Sequence, residues 1–233
     1  MAPKWQNCHK SRFLGQRRVR RELLDNSMKS ASVVRGAALL IALVAIAGLC
    51  IDFVAVSAWT DSAIMTGWAL LRYFTITTNL LVAWAFLSVA VSGSAHAAPK
   101  LMGATVLSIL LVGVVYALLL SGRRELSGGS LIADVLLHRI TPVLVPLFWL
   151  WLVPKGHLSR RDPFVWALYP LGYFAYALVR GAAEGRYAYP FMNPVALGWP
   201  RTGFNAVAIA VGFFVAGEVL LWVDRRLRTR VVE

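Results

Sequence analysis

Residues 71–79 read LRYFTITTN, and this stretch opens an apolar run from Trp68 to Val91 that carries no charge after Arg72. As a helix, a run of that length crosses about 30 Å of hydrocarbon. Its first turns nevertheless hold Arg72, Thr75, Thr77, Thr78 and Asn79. Polar groups inside a bilayer are costly unless they meet partners, so they turn toward the bundle interior and mark candidate sites. On an uninterrupted helix Arg72, Thr75 and Asn79 fall at i, i+3 and i+7 and share one face, with Thr78 beside them. What stands opposite that face is the functional question.

Outward from this stretch the same alternation of apolar blocks and short polar breaks continues. Of the 233 residues 58% are hydrophobic, more than a soluble domain needs. The expected fold is all-α: a polytopic six-helix transmembrane bundle occupying residues 33–223. Its spans are expected at Val33 to Ser57, Trp68 to Val91, Leu101 to Leu120, Leu131 to Val153, Pro163 to Gly181 and Gly203 to Val223, separated by Gly- and Pro-containing segments. A basic tail, residues 1–32, precedes the bundle and a second, residues 224–233, follows it. The first tail is expected as a short surface helix from Arg17 to Lys29 or as disordered chain, and the first span as a retained signal anchor.

The net charge of +13 would suggest nucleic acid in a soluble protein. Here the excess sits in the two tails and one loop, the cytoplasmic signature of a membrane protein, so nucleic acid is not an expected partner and membrane lipids are. The same bias puts both termini in the cytoplasm and suits the plasma membrane, with Arg123 and Arg124 as weak dissenters. Cys8 and Cys50 fall at different depths, which supports neither a disulfide framework nor a thiolate metal site. One histidine inside a span and scattered carboxylates likewise lack a metal-ligand cluster, and no cofactor is expected.

In this topology the second and fourth spans both enter from the outer side. At 1.5 Å per residue, Thr75 lies roughly 10 Å in. In the fourth span Asp134, His138 and Thr141 fall at i, i+4 and i+7, and His138 reaches nearly the depth of Thr75. Pro142 and Pro146 follow and are expected to kink that helix. The fifth span brings Tyr169, Tyr173, Tyr176 and Arg180 in one stripe to the same side, followed by Glu184 and an aromatic, Pro-rich loop from Tyr187 to Pro200 placed to cover the outer mouth with Tyr189. Asp52, near the outer end of the first span, is placed to join them. A hydroxyl, an imidazole and a carboxylate at one level are the parts of a nucleophile, its base and the base's orienter. Thr75 would attack, His138 would take its proton, and Asp134 or Asp52 would hold the ring. Arg72 or Asn79 would supply donors to a developing oxyanion.

At these residues the chain resembles the androgen-induced membrane protein family, and most of all its bacterial branch, the Pr-six-Pr membrane proteins. The resemblance rests on Tyr73-Phe74-Thr75, on His138 with Pro146 and Phe148, on Gly172-Tyr173 through Gly185, on Tyr189-Pro190-Phe191 and on Gly217-Glu218-Val219-Leu220. It implies a multi-pass threonine hydrolase of fatty-acid esters of hydroxy fatty acids, with Thr75 as the nucleophile. The family's animal members carry two histidines in the fourth span. Alignment on Pro146 puts His138 on the first of them and Thr141 in place of the second, catalytic one.

Each residue also has a plainer reading. Threonines in membrane helices bond their own carbonyls and pack against neighbours. His138 can be a hydrogen-bonded structural histidine and Asp134 a cap of the fourth helix. Arg72 and Arg180 can snorkel to head groups, the tyrosine stripe can be aromatic belt and packing, and Glu218 can snorkel toward Arg225 and Arg226. The alternative to a lipid-ester hydrolase is a non-enzymatic transporter or lipid-binding scaffold. No internal repeat and no pair of broken helices is legible to favour transport.

Overall fold

The computed structural model describes residues 4–93, 99–122 and 125–228, with side chains from residue 31 onward. Expectations that concern Cys8, the basic side chains ahead of residue 31, Arg123, Arg124 and the chain beyond residue 228 lie outside the described residues. Among those described, every regular element is helical. They run α1 Lys4–Ser57, α2 Ala63–Leu70, α3 Phe74–Ser92, α4 Pro99–Val115, α5 Gly128–Val135, α6 Thr141–Leu152, α7 Asp162–Glu184, α8 Pro194–Leu197 and α9 Trp199–Arg226. Two π-helical turns extend this set: Tyr116–Leu120 continues α4, and Leu136–Ile140 joins α5 to α6 without a break.

Among the described residues five segments are long and apolar enough to cross a membrane: Ala31–Ser57, Phe74–Ser92, Pro99–Leu120, Gly128–Leu152 and Trp199–Arg226. Large apolar side chains such as Leu43, Trp84, Leu118, Val143 and Val211 stand exposed along all five, a surface suited to lipid and not to water. The fifth expected span, α7, has 23 residues, enough in length. Its tyrosines and Arg180 leave it outside the set that passes on composition as well.

Three expectations about local structure need correction. The first concerns the second span, which is not one helix from Trp68 to Val91. It breaks at Leu71–Tyr73, where Tyr73 takes an extended backbone (φ −100°, ψ 132°) ahead of α3. α7 supplies hydrogen bonds for the carbonyls that the break releases. Arg72 therefore sits in a turn and does not share a helical face with Thr75 and Asn79. The second concerns the fourth span, which widens into a π-turn at His138 instead of only kinking. Pro142 has no N–H to give the carbonyl of His138, and its ring crowds that carbonyl. The third concerns the basic tail, whose backbone is helical from Lys4 and continuous with the first span, where a separate short helix from Arg17 to Lys29 or disordered chain was expected.

α1 packs along α3 and α5, α4 lies between α3 and α6, and α9 closes the bundle against α7 and α4. Close approach around His138 depends on glycine. A Cβ on Gly48 of α1 would stand 2.6 Å from the Leu137 side chain, and one on Gly113 of α4 would stand 2.8 Å from Pro142. Both backbones can therefore come up against the π-turn, as small residues allow between membrane helices.

Candidate functional site

Thr75 is the second residue of α3 and is buried, 6% exposed. Its Oγ1 lies 3.1 Å from His138 Nε2. Across the ring, Nδ1 lies 3.1 Å from Asp134 Oδ1. That pair is close without being well aligned: the in-plane N–H direction misses the carboxylate, and Nδ1 has no partner of good hydrogen-bond geometry. The carboxylate thus stands beside the ring without a well-aligned hydrogen bond to it. Asp134 is buried and accepts a 2.6 Å hydrogen bond from the Tyr116 hydroxyl. The Tyr116 ring stacks on His138 with centroids 4.3 Å apart. Both residues lie in π-turns, the widened geometry that recurs at functional positions, and here the two turns face each other. Asp52 of α1 lies within electrostatic range of His138 and Asp134.

A second layer fixes this row. Asn79 donates to the carbonyls of Thr75 (2.9 Å) and Leu137 (3.3 Å), and its own carbonyl accepts from Thr141 Oγ1 at 2.9 Å. The amide thus ties the α3 turn that carries Thr75 to the π-turn that carries His138. Thr78 and Thr77 both meet the Tyr169 hydroxyl, at 3.1 and 2.9 Å. Thr141 stands where the resemblance would have a second histidine, and it closes the Asn79 bridge.

The tyrosine stripe of α7 does more than pack. Tyr173 donates to the carbonyl of Arg72, Tyr176 to that of Leu71, and Arg180 to that of Trp68. These are the carbonyls orphaned by the broken helix, and buried away from water they need partners. Arg72 and Arg180 are not snorkelling. Arg72 pairs with Glu184 and with the carbonyl of Arg186, while Arg180 bonds Glu184 and Tyr176 and lies over the Trp68 ring at 3.9 Å. Trp68 Nε1 also donates to Glu184, at 2.9 Å. The Arg180 hydrogen bond first, helped by that of Trp68 and by the charges of Arg180 and Arg72, holds the Glu184 carboxyl below the usual carboxylate range over the desolvation that opposes it.

Two sequence-based roles do not survive. Arg72 is turned to Glu184 and the carbonyl of Arg186, and the Asn79 amide nitrogen bonds two carbonyls, so neither is placed as an oxyanion donor. Asp134 is not a helix cap, since Ser127 precedes α5 and Asp134 lies in its last turn. Three features at the site were missed from sequence: Tyr116, Arg139 and the place of Tyr189. Arg139 is exposed, reaches Tyr116 at 3.4 Å and stands 4.0 Å from Asp134. Position along the run also singles out Tyr116, one turn from the C-terminal end of the expected Leu101 to Leu120 span, but a lone tyrosine in an apolar run carries no periodic signal. Tyr189 accepts the backbone N–H of Phe74 at 3.0 Å. Burial pushes its ionisation above the ordinary tyrosine range, against the hydroxyl and amide of Thr75 beside it.

Two shallow, open concavities, one beside Glu218 and Trp222 and one beside Trp151 and Lys155, are not lined by Thr75 or His138, so neither is the hollow expected between those two residues. Access to the pair is through the imidazole, whose side chain is 20% exposed. No protein-family model, no curated protein and no solved structure matches this chain.

Proposed function

We propose that this chain is a threonine-dependent lipid-ester hydrolase of the plasma membrane, with six spans counting α7, both termini cytoplasmic and its site in the outer-leaflet half. The observation that carries the reading is the hydroxyl–imidazole–carboxylate row, with Thr75 Oγ1 3.1 Å from Nε2 and Asp134 3.1 Å from Nδ1. The resemblance to threonine hydrolases of fatty-acid esters points the same way.

In the first step Oγ1 of Thr75 bonds to the ester carbonyl carbon. Its proton passes to Nε2 of His138, and the carbonyl π pair moves onto oxygen. Asp134 stabilises the imidazolium so formed. Collapse expels the alcohol, which takes the proton back from Nε2, and leaves an acyl-threonine. Water, deprotonated by the same nitrogen, then releases the fatty acid and restores Thr75. A lipid-facing bundle beside the site suits a substrate that arrives from the bilayer.

The broken second span lends some support to a transporter, because transporter sites use interrupted helices. Against that reading, the carbonyls of Trp68, Leu71 and Arg72 at the break already accept from Arg180, Tyr176 and Tyr173, and the Arg180 guanidinium among these donors disfavours a cation beside them.

The test is labelling of the purified, detergent-solubilised protein with a fluorophosphonate. Labelling lost in Thr75→Ala and kept in Thr77→Ala is expected. An intact protein that takes no label, or a Thr75→Ala variant that still does, overturns the reading.

A further inference from the structure

Attack on an ester places negative charge on the carbonyl oxygen, and stabilising it is usually the largest single contribution to acyl transfer. With Arg72 and Asn79 committed elsewhere, the row of Thr75, His138 and Asp134 holds no donor aimed at that oxygen. Tyr189 fills the gap. It lies beyond the end of α7, with its ring stacked on Phe191 (5.1 Å, 4° between planes) and edge-on to Tyr73 at 6.0 Å. Its hydroxyl therefore occupies a held position and not a swinging one. That hydroxyl meets the first turn of α3, where Phe74 N–H donates to its oxygen at 3.0 Å and the amide and hydroxyl of Thr75 and the hydroxyl of Tyr173 stand alongside. Donation into a phenol oxygen polarises its O–H and makes it a better donor.

Resting on the hydrolase reading, we infer that Tyr189 is a catalytic residue, the hydrogen-bond donor to the oxyanion formed when Thr75 attacks an ester. Its oxygen lies beside the hydroxyl of Thr75. As Oγ1 bonds to the carbonyl carbon and negative charge develops on the carbonyl oxygen, less than two bond lengths from Oγ1, the Tyr189 O–H turns to that oxygen. The proton stays on Tyr189 throughout, so no further acid or base is needed.

The experiment uses the full chain in detergent micelles with a p-nitrophenyl ester of a medium-chain fatty acid and, separately, a fluorophosphonate. Loss of one oxyanion donor costs about 10²–10³-fold in kcat. Tyr189→Phe is expected to lose that much with KM within about threefold, and to slow phosphonylation in parallel, since the phosphonyl oxygen uses the same donor. Tyr187→Phe serves as the control and should match the parent. A ring-fluorinated tyrosine at position 189 has the same shape and a more acidic hydroxyl; it should change kcat without changing KM, and it decides the matter if Tyr189→Phe folds poorly. Unchanged kcat in both 189 variants, or a rise in KM alone, makes Tyr189 a packing residue and overturns the inference. Thr75→Ala run alongside separates the two failures. If it abolishes labelling while the 189 variants behave as the parent, only this inference falls; if it keeps full labelling, the hydrolase reading falls first.

Discussion

Tyr173→Phe tests whether the tyrosine stripe holds the broken second span. The variant removes one hydroxyl and keeps the ring, which packs on Phe74 at 5.0 Å. What it strands is the carbonyl of Arg72, which lies outside both α2 and α3 and whose partner is that hydroxyl. Two magnitudes compete. Interhelical hydrogen bonds in membrane proteins average only about 0.6 kcal/mol, because the groups find other partners when the bond is lost. A buried acceptor left without any partner costs about 1–3 kcal/mol. The geometry favours the second figure, since Arg72's amide already points to Ala69, its guanidinium to Glu184, and the carbonyl faces α7 away from water. A loss of at least about 1.5 kcal/mol is expected, a drop in thermal midpoint of roughly 3–6 °C for a chain of this size. Tryptophan fluorescence during heating of the protein in nanodiscs measures it. Tyr176→Phe, which loses a 3.3 Å contact to Leu71, should cost less. A Tyr173→Phe protein that melts within 1 °C of its parent refutes the idea that α7 supplies the hydrogen bonds the break needs.

Other perturbations report on other parts of the bundle. Gly48→Ala puts a methyl 2.6 Å from Leu137, and overpacking of that kind costs about 1–3 kcal/mol; because α1 then pushes the π-turn that carries His138, kcat for ester hydrolysis should fall too, and an unaltered melt would show that α1 does not set that turn. Asp134→Asn keeps the side chain's shape but removes the charge that stabilises the imidazolium, so kcat should fall about 10²-fold or more, and a change under twofold would mean Asp134 is not the orienting group. Glu184 is a carboxylate depressed in the fold by Arg180 first; such a group contributes stability that is present above its unfolded value near ~4.3 and lost as pH falls through the lower folded value. The melting temperature should therefore decline below about pH 4, less steeply in Glu184→Gln, and parallel acid limbs in the two proteins would exclude Glu184 as the source.

Sequence position alone carried the all-α architecture and the alignment in depth of Thr75, His138 and Asp134. The reason is that a membrane helix rises by a constant 1.5 Å per residue, which makes depth nearly a linear function of residue number. The apolar blocks marked the long helices for the same reason, although α7, with its tyrosines and arginine, passes on length but not on composition. The direction a side chain takes around its helix axis is another matter. It depends on neighbours, and one inserted residue turns everything beyond it by about 100°. Tertiary structure alone therefore decided that the second span breaks at Leu71–Tyr73, that Arg72 leaves the Thr75 face for Glu184, and that π-turns bring Tyr116 flat against His138. It also decided that the α7 tyrosines serve the carbonyls of the break, because hydrogen-bond partners more than 90 residues apart are chosen by packing and leave no periodic trace in the chain.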